Sequence, residues 1–338
     1  MNSRGGSKLS NTSGKYAVIL AVLGNLYDRF VTTGYKREMT DMSLADKLDI
    51  VKKIPMAKGV TLMYPSEFEA EPEAVAKKIS QYGLEVSNVI ADTFSDPKWM
   101  NGSLTAKDEK VRKEAIELIK NASDAVKKIG VNKCCLWFGQ DGHDYLFDDH
   151  KSKWRLLIDG LKDITSYNEK VTFFIEYKLK EPRTHAMVST VGKSLHLINK
   201  VGADNLGIVL DTGHANMADE NLAESVYLIA ESDVPLALHI NDNYGYWDDD
   251  MIFGSINFWK SVEFIYALED VGYDGWYEID VFPYREDTVK AINQSFQMLD
   301  YIRRKVKENF KELQKAVESR DVHTAMDTVR RIFLKEYE

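Results

Sequence analysis

Short apolar segments alternate with amphipathic helical segments about eight times between residues 16 and 300. The apolar segments are hydrophobic on both faces, which is typical of parallel strands covered by helices. The predicted strands are residues 16–22, 59–64, 84–90, 132–138, 172–177, 206–210, 236–240 and 275–280. Eight strand–helix units over about 250 residues or more predict a TIM (β/α)8 barrel, an α/β fold whose chemistry lies at the carboxyl ends of the strands. A generic α/β sheet is the structural alternative.

Helical patterns fill the segments between the strands. The first, Ser43–Lys53, is amphipathic and begins with a serine, a favoured N-cap residue. The others are predicted at residues 71–82, 108–129, 149–169, 190–201, 221–231, 257–271 and from 288 onward. Because the sequence has no GxGxxG or Walker motif, a nucleotide-binding doubly wound sheet lacks its usual mark. The barrel domain is therefore expected to span residues 15–300.

The two ends of the chain differ from this alternating region. Residues 1–14 are rich in Ser, Gly and Asn and are expected to be a disordered tail. Residues 301–338 are expected to be a C-terminal helical extension, because apolar residues recur there at spacings of three and four and a second helix is predicted at about residues 322–336. These helices either pack back onto the barrel's own helices or form a subunit-contact arm.

The charge and the cysteine content argue against several classes of partner. The chain has 53 acidic and 44 basic residues, a net charge of -9 and a pI near 5.4. No basic patch with interleaved aromatic residues stands out, so neither nucleic acid nor an anionic membrane surface is expected as a partner. The two cysteines, Cys134 and Cys135, are adjacent and poorly placed for an unstrained disulfide, which favours a reducing cytoplasm. No apolar run approaches the about 20 residues that a transmembrane helix needs.

Ionisable residues directly follow four consecutive apolar strands. The fifth strand ends at Glu176, the sixth at Asp211 and the seventh at His239. The eighth ends with two acids on the same side of the strand; Asp280 is predicted to be a ligand because it lies nearer the carboxyl end, whereas Glu278 lies deeper or pairs with a basic neighbour. In a barrel these four ends point at one cavity, where buried carboxylates are costly unless they are paired or bound to a metal.

An acidic loop follows the seventh strand. Residues 242–250 contain four aspartates, and three of them form the run Asp248-Asp249-Asp250 after Trp247. Runs of charge usually face water, so a solvated loop is one interpretation. The other is a cation site, because imidazole and carboxylates together suit Mn²⁺, Co²⁺ or Zn²⁺, with Mg²⁺ where oxygen ligands dominate. The sequence leaves open which of the three successive aspartates would bind.

These motifs resemble those of the xylose isomerase-like TIM barrels, and among them the L-rhamnose isomerases most closely. The resemblance spans residues 16–300 and rests on the pair Glu176-x-Lys178, the pair Asp211-x-x-His214, His239 and the run Trp247-Asp-x-Asp250. It implies a structural metal held by Glu176, Asp211, His239 and Asp280. It also implies a second, catalytic metal held by His214, Asp248 and Asp250, with Asp211 as the bridge.

The resemblance also implies catalytic and substrate-binding roles. The residues expected to carry the reaction are Glu176, Lys178, Asp248 and Asp280. Lys178 is expected to point inward and hold a substrate oxygen, or else to form a salt bridge with Glu176 or a loop acid. Trp137 is similar to the tryptophan that packs against substrate carbons in xylose isomerases, although it would serve equally well as core. His143 and Trp247 complete the expected substrate contacts, and the early-strand histidine that assists ring opening in L-rhamnose isomerases has no counterpart before His143.

The implied activity is a divalent-metal-dependent interconversion of an aldose and a ketose. A metal that binds both substrate oxygens polarises the carbonyl, and the hydrogen moves between C1 and C2 either as a hydride or as a proton through an enediol. Mn²⁺ is the expected cofactor, with one or two ions per subunit. The protein is expected to be a cytoplasmic homo-oligomer, either a dimer or a tetramer.

The main alternative is a ketose 3-epimerase of the D-tagatose/D-psicose 3-epimerase type. Those enzymes, which share the Asp211-x-x-His214 and His239 motifs, use one metal and two opposed glutamates as acid and base. Here Glu176 would need the shorter Asp280 as its partner, and the run at 248–250 would have no role. A metal nuclease on the same barrel is disfavoured by the acidic pI, and a non-enzymatic sugar-binding barrel would not need a second metal set.

Overall fold

Eight parallel strands close into a barrel in the computed structural model, which describes residues 14–334. The strands are β1 Lys15–Ile19, β2 Gly59–Tyr64, β3 Glu85–Ala91, β4 Lys133–Trp137, β5 Thr172–Glu176, β6 Leu206–Asp211, β7 Leu236–Ile240 and β8 Trp276–Ile279. Each strand pairs with its neighbours in chain order, and β1 pairs with β8 to complete the ring. The fold is the predicted TIM barrel, and the generic α/β sheet is excluded.

Helices connect the strands and surround the barrel. They are α1 Leu44–Val51, α2 Pro72–Gln81, α3 Glu109–Lys128, α4 His150–Tyr167, α5 Val191–Val201, α6 Thr212–Met217, α7 Leu222–Glu231, α8 Phe258–Asp270, α9 Thr288–Glu308, α10 Phe310–Glu318 and α11 Val322–Phe333. A two-stranded antiparallel ribbon, Gly142–His143 with His185–Ala186, joins the loops that follow β4 and β5. Within residues 14–334, no helix combines the length and the apolar character that crossing a bilayer requires.

Local sequence signals explain where several elements begin and end. Ser43 caps α1 as predicted, because its hydroxyl accepts a hydrogen bond from Asp46 N–H at 3.2 Å and its own N–H donates to the Asp46 carboxylate at 2.9 Å. The first strand is shorter than predicted, since residues 20–22 turn into a 3₁₀ segment. The helix predicted from residue 288 onward is interrupted at Asn309, where α9 ends and α10 follows.

The C-terminal extension packs back onto the barrel's own helices. Phe333 of α11 packs edge-on against Phe258 of α8 and Tyr301 of α9, with ring centroids 5.8 and 6.1 Å away. The face of the extension that carries Phe333 is therefore covered by the barrel's own helices. A role in subunit contact stays a prediction. The predicted disordered tail, residues 1–14, falls outside the described residues except for Gly14.

A buried polar cluster fastens α9 to the barrel. Arg303 donates a hydrogen bond to the Tyr16 hydroxyl at 2.9 Å, and that hydroxyl donates to Asp300 at 3.0 Å. The Arg303 guanidinium also lies 4.6 Å from the centre of the Tyr277 ring and 3.8 Å from Glu269. Because Tyr16 belongs to β1 and Tyr277 to β8, these five residues, called the Arg303 cluster below, tie the longest helix to the two strands that close the barrel.

Candidate metal centre

The carboxyl ends of β5 to β8 bring together the four residues predicted to form the first cation site. Glu176, Asp211, His239 and Asp280 each offer one ligand atom, and these atoms all lie within 4.8 Å of one another. His239 Nδ1 is 3.1 Å from Glu176 Oε1 and 3.7 Å from an Asp280 oxygen. The strand register explains the convergence, since Asp211 pairs directly with His239 in the sheet. These four residues are called the barrel-end cluster below.

A second group of ligand atoms lies next to the first. The Asp211 carboxylate accepts a hydrogen bond from His214 N–H at 2.8 Å and so caps the short helix α6. That turn brings the His214 imidazole to the loop after β7, where its Nε2 lies 3.1 Å from Asp248 Oδ2. Ligand atoms of Asp211, His214 and Asp248 again lie within 4.8 Å of one another. Asp211 therefore belongs to both groups, which is the arrangement that a bridging ligand requires.

The loop after β7 divides its aspartates between structure and site. Asp242 is a structural anchor, because its carboxylate accepts hydrogen bonds from the backbone N–H of Asn257 at 3.0 Å and from the Asn257 amide at 2.7 Å. Asp249 accepts a long bond of 3.4 Å from Tyr244 N–H. Asp248 belongs to the second group of ligand atoms, so the solvated-loop interpretation applies to only part of this loop.

Asn241 connects Asp250 to Asp211 across the pocket. Its amide donates hydrogen bonds to Asp211 Oδ2 at 3.0 Å and to Asp250 Oδ1 at 3.1 Å. No role is predicted for Asn241 from the sequence, although its position two residues after His239 places both side chains on one face of the chain. The amide approaches helix α6 so closely that a Cβ atom at residue 213 would lie 2.3 Å from its oxygen, which explains Gly213.

Glu278 lies against the other nitrogen of His239. His239 Nε2 and Glu278 Oε2 are 3.4 Å apart, and the Asn88 amide donates to the same carboxylate at 3.5 Å. Glu278 is 2% exposed and sits below the barrel-end cluster, whereas Asp280 belongs to it. A carboxylate near one ring nitrogen favours a proton there, although the 3.4 Å contact is not a hydrogen bond, and it favours the opposite nitrogen as a metal ligand.

Acids of the loops hold Lys178. Its Nζ lies 2.8 Å from Asp248, 2.5 Å from Glu181 and 5.0 Å from the centre of the Trp137 ring. Burial lowers the pKa of Lys178, but Asp248 and Glu181 raise it by more, so the pKa lies above its ordinary value. The lysine is therefore charged, and it forms the salt bridge with a loop acid that was one of the two interpretations of its position.

Negative charge exceeds positive charge in this pocket. Six carboxyl groups gather here, those of Glu176, Asp211, Asp248, Asp250, Glu278 and Asp280. Within residues 14–334, the one lysine or arginine that forms an ion pair with any of them is Lys178, through Asp248. Burial and neighbouring carboxylates raise the pKa of Asp211 to about 6 and that of Asp280 to about 8. Burial lowers the pKa of His214, but Asp211 and Asp248 outweigh it and raise that pKa to about 9.

The donor atoms of the pocket fit divalent cations. His214 Nδ1 is buried, makes no hydrogen bond to any part of the described chain, and lies 3.4 Å from Glu176 Oε1 and 3.8 Å from Asp211 Oδ1. A buried ring nitrogen that faces two carboxylates is a donor set that a cation satisfies. The buried acidic and histidine residues could therefore hold a divalent metal, with mostly oxygen ligands and one imidazole in each group.

The three predicted substrate contacts occupy different surroundings. Trp137 is half-buried against Phe94, with ring centroids 4.5 Å apart, and approaches the pocket through Lys178. Trp247 is 36% exposed and precedes Asp248 in the chain. His143 lies in the antiparallel ribbon, where its ring packs on those of two other histidines, His150 and His185, with centroids 4.9 and 5.3 Å away. Its ring contacts thus lie outside the carboxylate cluster.

The family of the chain follows from its sequence as well as from its fold. A family model described as xylose isomerase-like TIM barrel matches residues 48–326, and the chain therefore belongs to this family. The matched region includes seven of the eight barrel strands and every residue of both groups of ligand atoms. The predicted membership of the xylose isomerase-like TIM barrels is confirmed.

Individual known proteins give more distant likenesses. The chain is 26% identical over 235 residues to a xylose isomerase of Thermus thermophilus, and the match takes in 68% of this chain and 61% of that enzyme. The chain thus spans less than two thirds of the length of this curated relative. Two solved structures share its fold. L-ribulose 3-epimerase has a TM-score of 0.67 and 15% identity, and the match covers 87% of this chain and 97% of that one. The IOLI protein with a bound zinc atom has a TM-score of 0.63 and 17% identity, and the match covers 86% of this chain and 98% of that one.

Proposed function

We propose that this protein is a divalent-cation-dependent sugar isomerase that interconverts an aldose and a ketose, in the manner of the L-rhamnose isomerases. The observation that carries the proposal is that Asp211 belongs to both groups of ligand atoms. Two ions that share one carboxylate suit a reaction in which two neighbouring oxygens of the sugar change their charge.

The two groups of ligand atoms would hold one ion each. The barrel-end cluster would hold the first ion, and the second would lie between Asp211, His214, Asp248 and Asp250. Mn²⁺ is the proposed ion, because carboxylate oxygens with a single imidazole suit it better than sites rich in nitrogen or sulfur. When bound, such ions polarise a carbonyl and stabilise negative charge on a substrate oxygen.

The side chains around the pocket would orient the sugar and handle its protons. Lys178 carries a positive charge beside Asp248 and would hold a sugar oxygen there. Trp137 and Trp247 would offer ring faces to the C–H groups of the sugar. If the hydrogen moves as a proton through an enediol, Glu176 and Asp280 are the carboxylates proposed to take it and return it.

The comparisons support a sugar substrate and a divalent ion. The chain belongs to the xylose isomerase-like family and is similar to a xylose isomerase, an enzyme whose name specifies a sugar. The zinc atom of the IOLI protein supports a divalent cation on this type of barrel. A homo-oligomer is also proposed, and light scattering on the purified protein would measure its mass.

A ketose 3-epimerase is the second candidate. The chain shares the fold of L-ribulose 3-epimerase over 87% of its length. Glu176 and Asp280 both belong to the barrel-end cluster, so they could act as an acid–base pair around one ion. A one-ion reaction gives no role to Asp248 and Asp250, which is why the isomerase is preferred.

A panel of aldoses and ketoses tests the proposal. Protein stripped of metal with EDTA would be incubated with each sugar before and after addition of Mn²⁺, and the products would be separated by sugar chromatography. We expect ketose from aldose, and the reverse, only after Mn²⁺ is restored. Products that differ at C3 would favour the epimerase.

Two variants of one loop separate the second ion from general damage. Asp248→Ala removes a ligand of the second group, whereas Asp249→Ala removes the neighbouring carboxylate, which accepts a bond from Tyr244 N–H. Asp248→Ala should lose turnover and Asp249→Ala should keep it. Full turnover in a double variant of Asp248 and Asp250 would rule out the assignment of the second ion.

A further inference from the structure

A cysteine lies beneath the barrel-end cluster. Alternation along β4 sends Cys135 and Trp137 to the barrel interior and Cys134 to the opposite face. Cys135 is fully buried, and its thiol donates a hydrogen bond to Glu176 Oε2 at 3.6 Å. The proposed isomerisation gives this thiol no role.

The thiol completes a third group of ligand atoms. The sulfur of Cys135, a carboxylate oxygen of Glu176 and a ring nitrogen of His239 all lie within 4.8 Å of one another, and all three residues are buried. His239 is 1% exposed, and its Nε2 has no hydrogen-bond partner within the described part of the chain. Glu278 lies 3.4 Å from that nitrogen and adds negative charge to the same part of the barrel.

We propose that Cys135, Glu176 and His239 form a second position, below the barrel-end cluster, for soft divalent cations such as Cd²⁺ and Zn²⁺. A thiolate, an imidazole and a carboxylate are ligand types that zinc-like ions take up readily, whereas Mn²⁺ and Mg²⁺ prefer oxygen. The barrel-end cluster, with three carboxylates and one imidazole, is the harder of the two ligand sets. Soft ions therefore favour the lower position and hard ions the upper one.

Binding at the lower position exchanges protons for the cation. The S–H bond of Cys135 breaks, the proton leaves to bulk water, and a sulfur lone pair forms the bond to the cation, with no change of oxidation state. A second ring proton on His239 leaves to bulk water as well, because a cation binds only a neutral imidazole. The neutral ring has one free lone pair, so the two positions compete for it and for Glu176. The inference goes beyond the proposed function, since it concerns binding alone and holds for any reaction in the pocket.

The chain offers a matched control, because Cys134 is as buried as Cys135 but lies on the opposite face of β4. Full-length wild type, Cys135→Ser and Cys134→Ser would be kept reduced, stripped of metal and titrated with CdCl₂. Cd²⁺ bound to thiolate absorbs in the ultraviolet through sulfur-to-metal charge transfer, which carboxylate and imidazole ligands do not give. We expect a band that saturates at one ion per chain in the wild type and in Cys134→Ser, and no band in Cys135→Ser.

Competition with Mn²⁺ gives an independent readout. Protein loaded with Mn²⁺ would be titrated with Cd²⁺ while released Mn²⁺ is followed by electron paramagnetic resonance. We expect Cys135→Ser to need at least about tenfold more Cd²⁺ than the other two proteins, since even the loss of a group behind a metal ligand weakens binding by about 10–100-fold. A wild type without the band, a band that persists in Cys135→Ser, or equal Cd²⁺ requirements would overturn the proposal. The wild type and Cys134→Ser decide the question even if Cys135→Ser fails to fold.

Discussion

Two buried polar clusters lie in this barrel, and they differ in how their charges are balanced. In the Arg303 cluster, one guanidinium lies between the Tyr16 hydroxyl, the Tyr277 ring and the Glu269 carboxylate, so opposite charges meet within the protein. At the carboxyl ends of the strands, six carboxyl groups gather, and Lys178 is the one lysine or arginine within residues 14–334 that forms an ion pair with any of them. Lys307, 3.4 Å from Glu269, adds a second positive charge beside the first cluster, so the chain itself balances Glu269 and Asp300. The second cluster needs positive charge from outside the chain.

The difference separates a structural use of buried charge from a functional one. Taking a charge out of water costs free energy, and only a partner or a bound ion offsets that cost. Loss of one member should therefore destabilise the balanced cluster, because it leaves a partner behind. Loss of a carboxylate from the unbalanced cluster should relieve repulsion in the metal-free protein but abolish cation binding.

Asp211→Asn should have the largest effect, since it removes a carboxylate from both groups of ligand atoms while the amide keeps the shape that caps α6. We expect loss of Mn²⁺ binding and a fall in turnover of at least about a thousandfold, because metal ions supply several kcal/mol of transition-state stabilisation. The metal-free variant should be at least as stable as the wild type. Isothermal titration calorimetry and thermal melts of metal-stripped protein measure the two effects.

Asp242→Asn is the matched control, because Asp242 is also a buried aspartate at the carboxyl end of a strand, β7, but anchors Asn257 instead of facing the pocket. It should lose about 1–3 kcal/mol of stability, the cost of unsatisfied buried hydrogen bonds, and keep its affinity for Mn²⁺. If Asp211→Asn lost metal-free stability as Asp242→Asn does, the barrel-end cluster would be structural as well, and the contrast between the clusters would fail.

Arg303→Met tests the other side of the comparison. It leaves Glu269 and the Tyr16 hydroxyl without the guanidinium. We expect the free energy of unfolding to fall by about 3 kcal/mol, the lower end for a broken buried ion pair. The lower end applies because Lys307 remains 3.4 Å from Glu269. Affinity for Mn²⁺ should not change. Arg304→Met, at the exposed neighbouring position, is the control and should alter stability by no more than about 0.5 kcal/mol. A tenfold change in Mn²⁺ affinity in Arg303→Met would show that the clusters are coupled.

The sequence is sufficient to predict the barrel and the convergence of its acidic strand ends. Apolar strands and helices alternate in a simple order, and a barrel directs all carboxyl ends to one mouth. Glu176, Asp211, His239 and Asp280 therefore meet in space although 104 positions separate the first from the last. The distances between these side chains can be measured only in the structure, but the strand order alone predicts that they lie close together.

Loop geometry and the identity of hydrogen-bond partners could not be read from the sequence. Asp242, Asp248 and Asp249 are the same residue type within one loop, and the path of the backbone sends one to Asn257 and another to Lys178. Cys135 looks like core by composition, and only its 3.6 Å contact with Glu176 gives it a possible chemical role. Asn241 carries no motif, so its bonds to two carboxylates become visible only in three dimensions.

Stabilisation by Mn²⁺ should depend on pH, which sharpens the contrast with the balanced cluster. Asp280 and His214 have a pKa of about 8 and about 9 in the folded metal-free protein, above their values in an unfolded chain, so the folded state holds extra protons. Metal-free stability therefore decreases as the pH rises from about 6 to about 8, while the cation competes with fewer protons. We expect a gain in stability of about 2.7 kcal/mol per site at a free ion concentration of about 100 times the Kd that holds near pH 6. At that same ion concentration the gain should grow as the pH rises and Kd falls. The test is the difference in melting temperature between protein with and without Mn²⁺, measured at several pH values. A difference that becomes smaller as the pH rises would contradict the prediction.

Glu278→Gln should have the smallest effect, because it changes a residue that touches the barrel-end cluster only through His239 Nε2. The amide keeps the size and an acceptor oxygen but loses the charge that favours a proton on Nε2, so Mn²⁺ binding should weaken by about tenfold. Glu278→Asp, which keeps the charge but shortens the reach, should lie between Glu278→Gln and the wild type. Titration calorimetry on the three proteins would show whether affinity follows charge or reach. Unchanged affinity in Glu278→Gln would mean that barrel packing alone orients His239, and Glu278 would then belong with the structural charges of the Arg303 cluster.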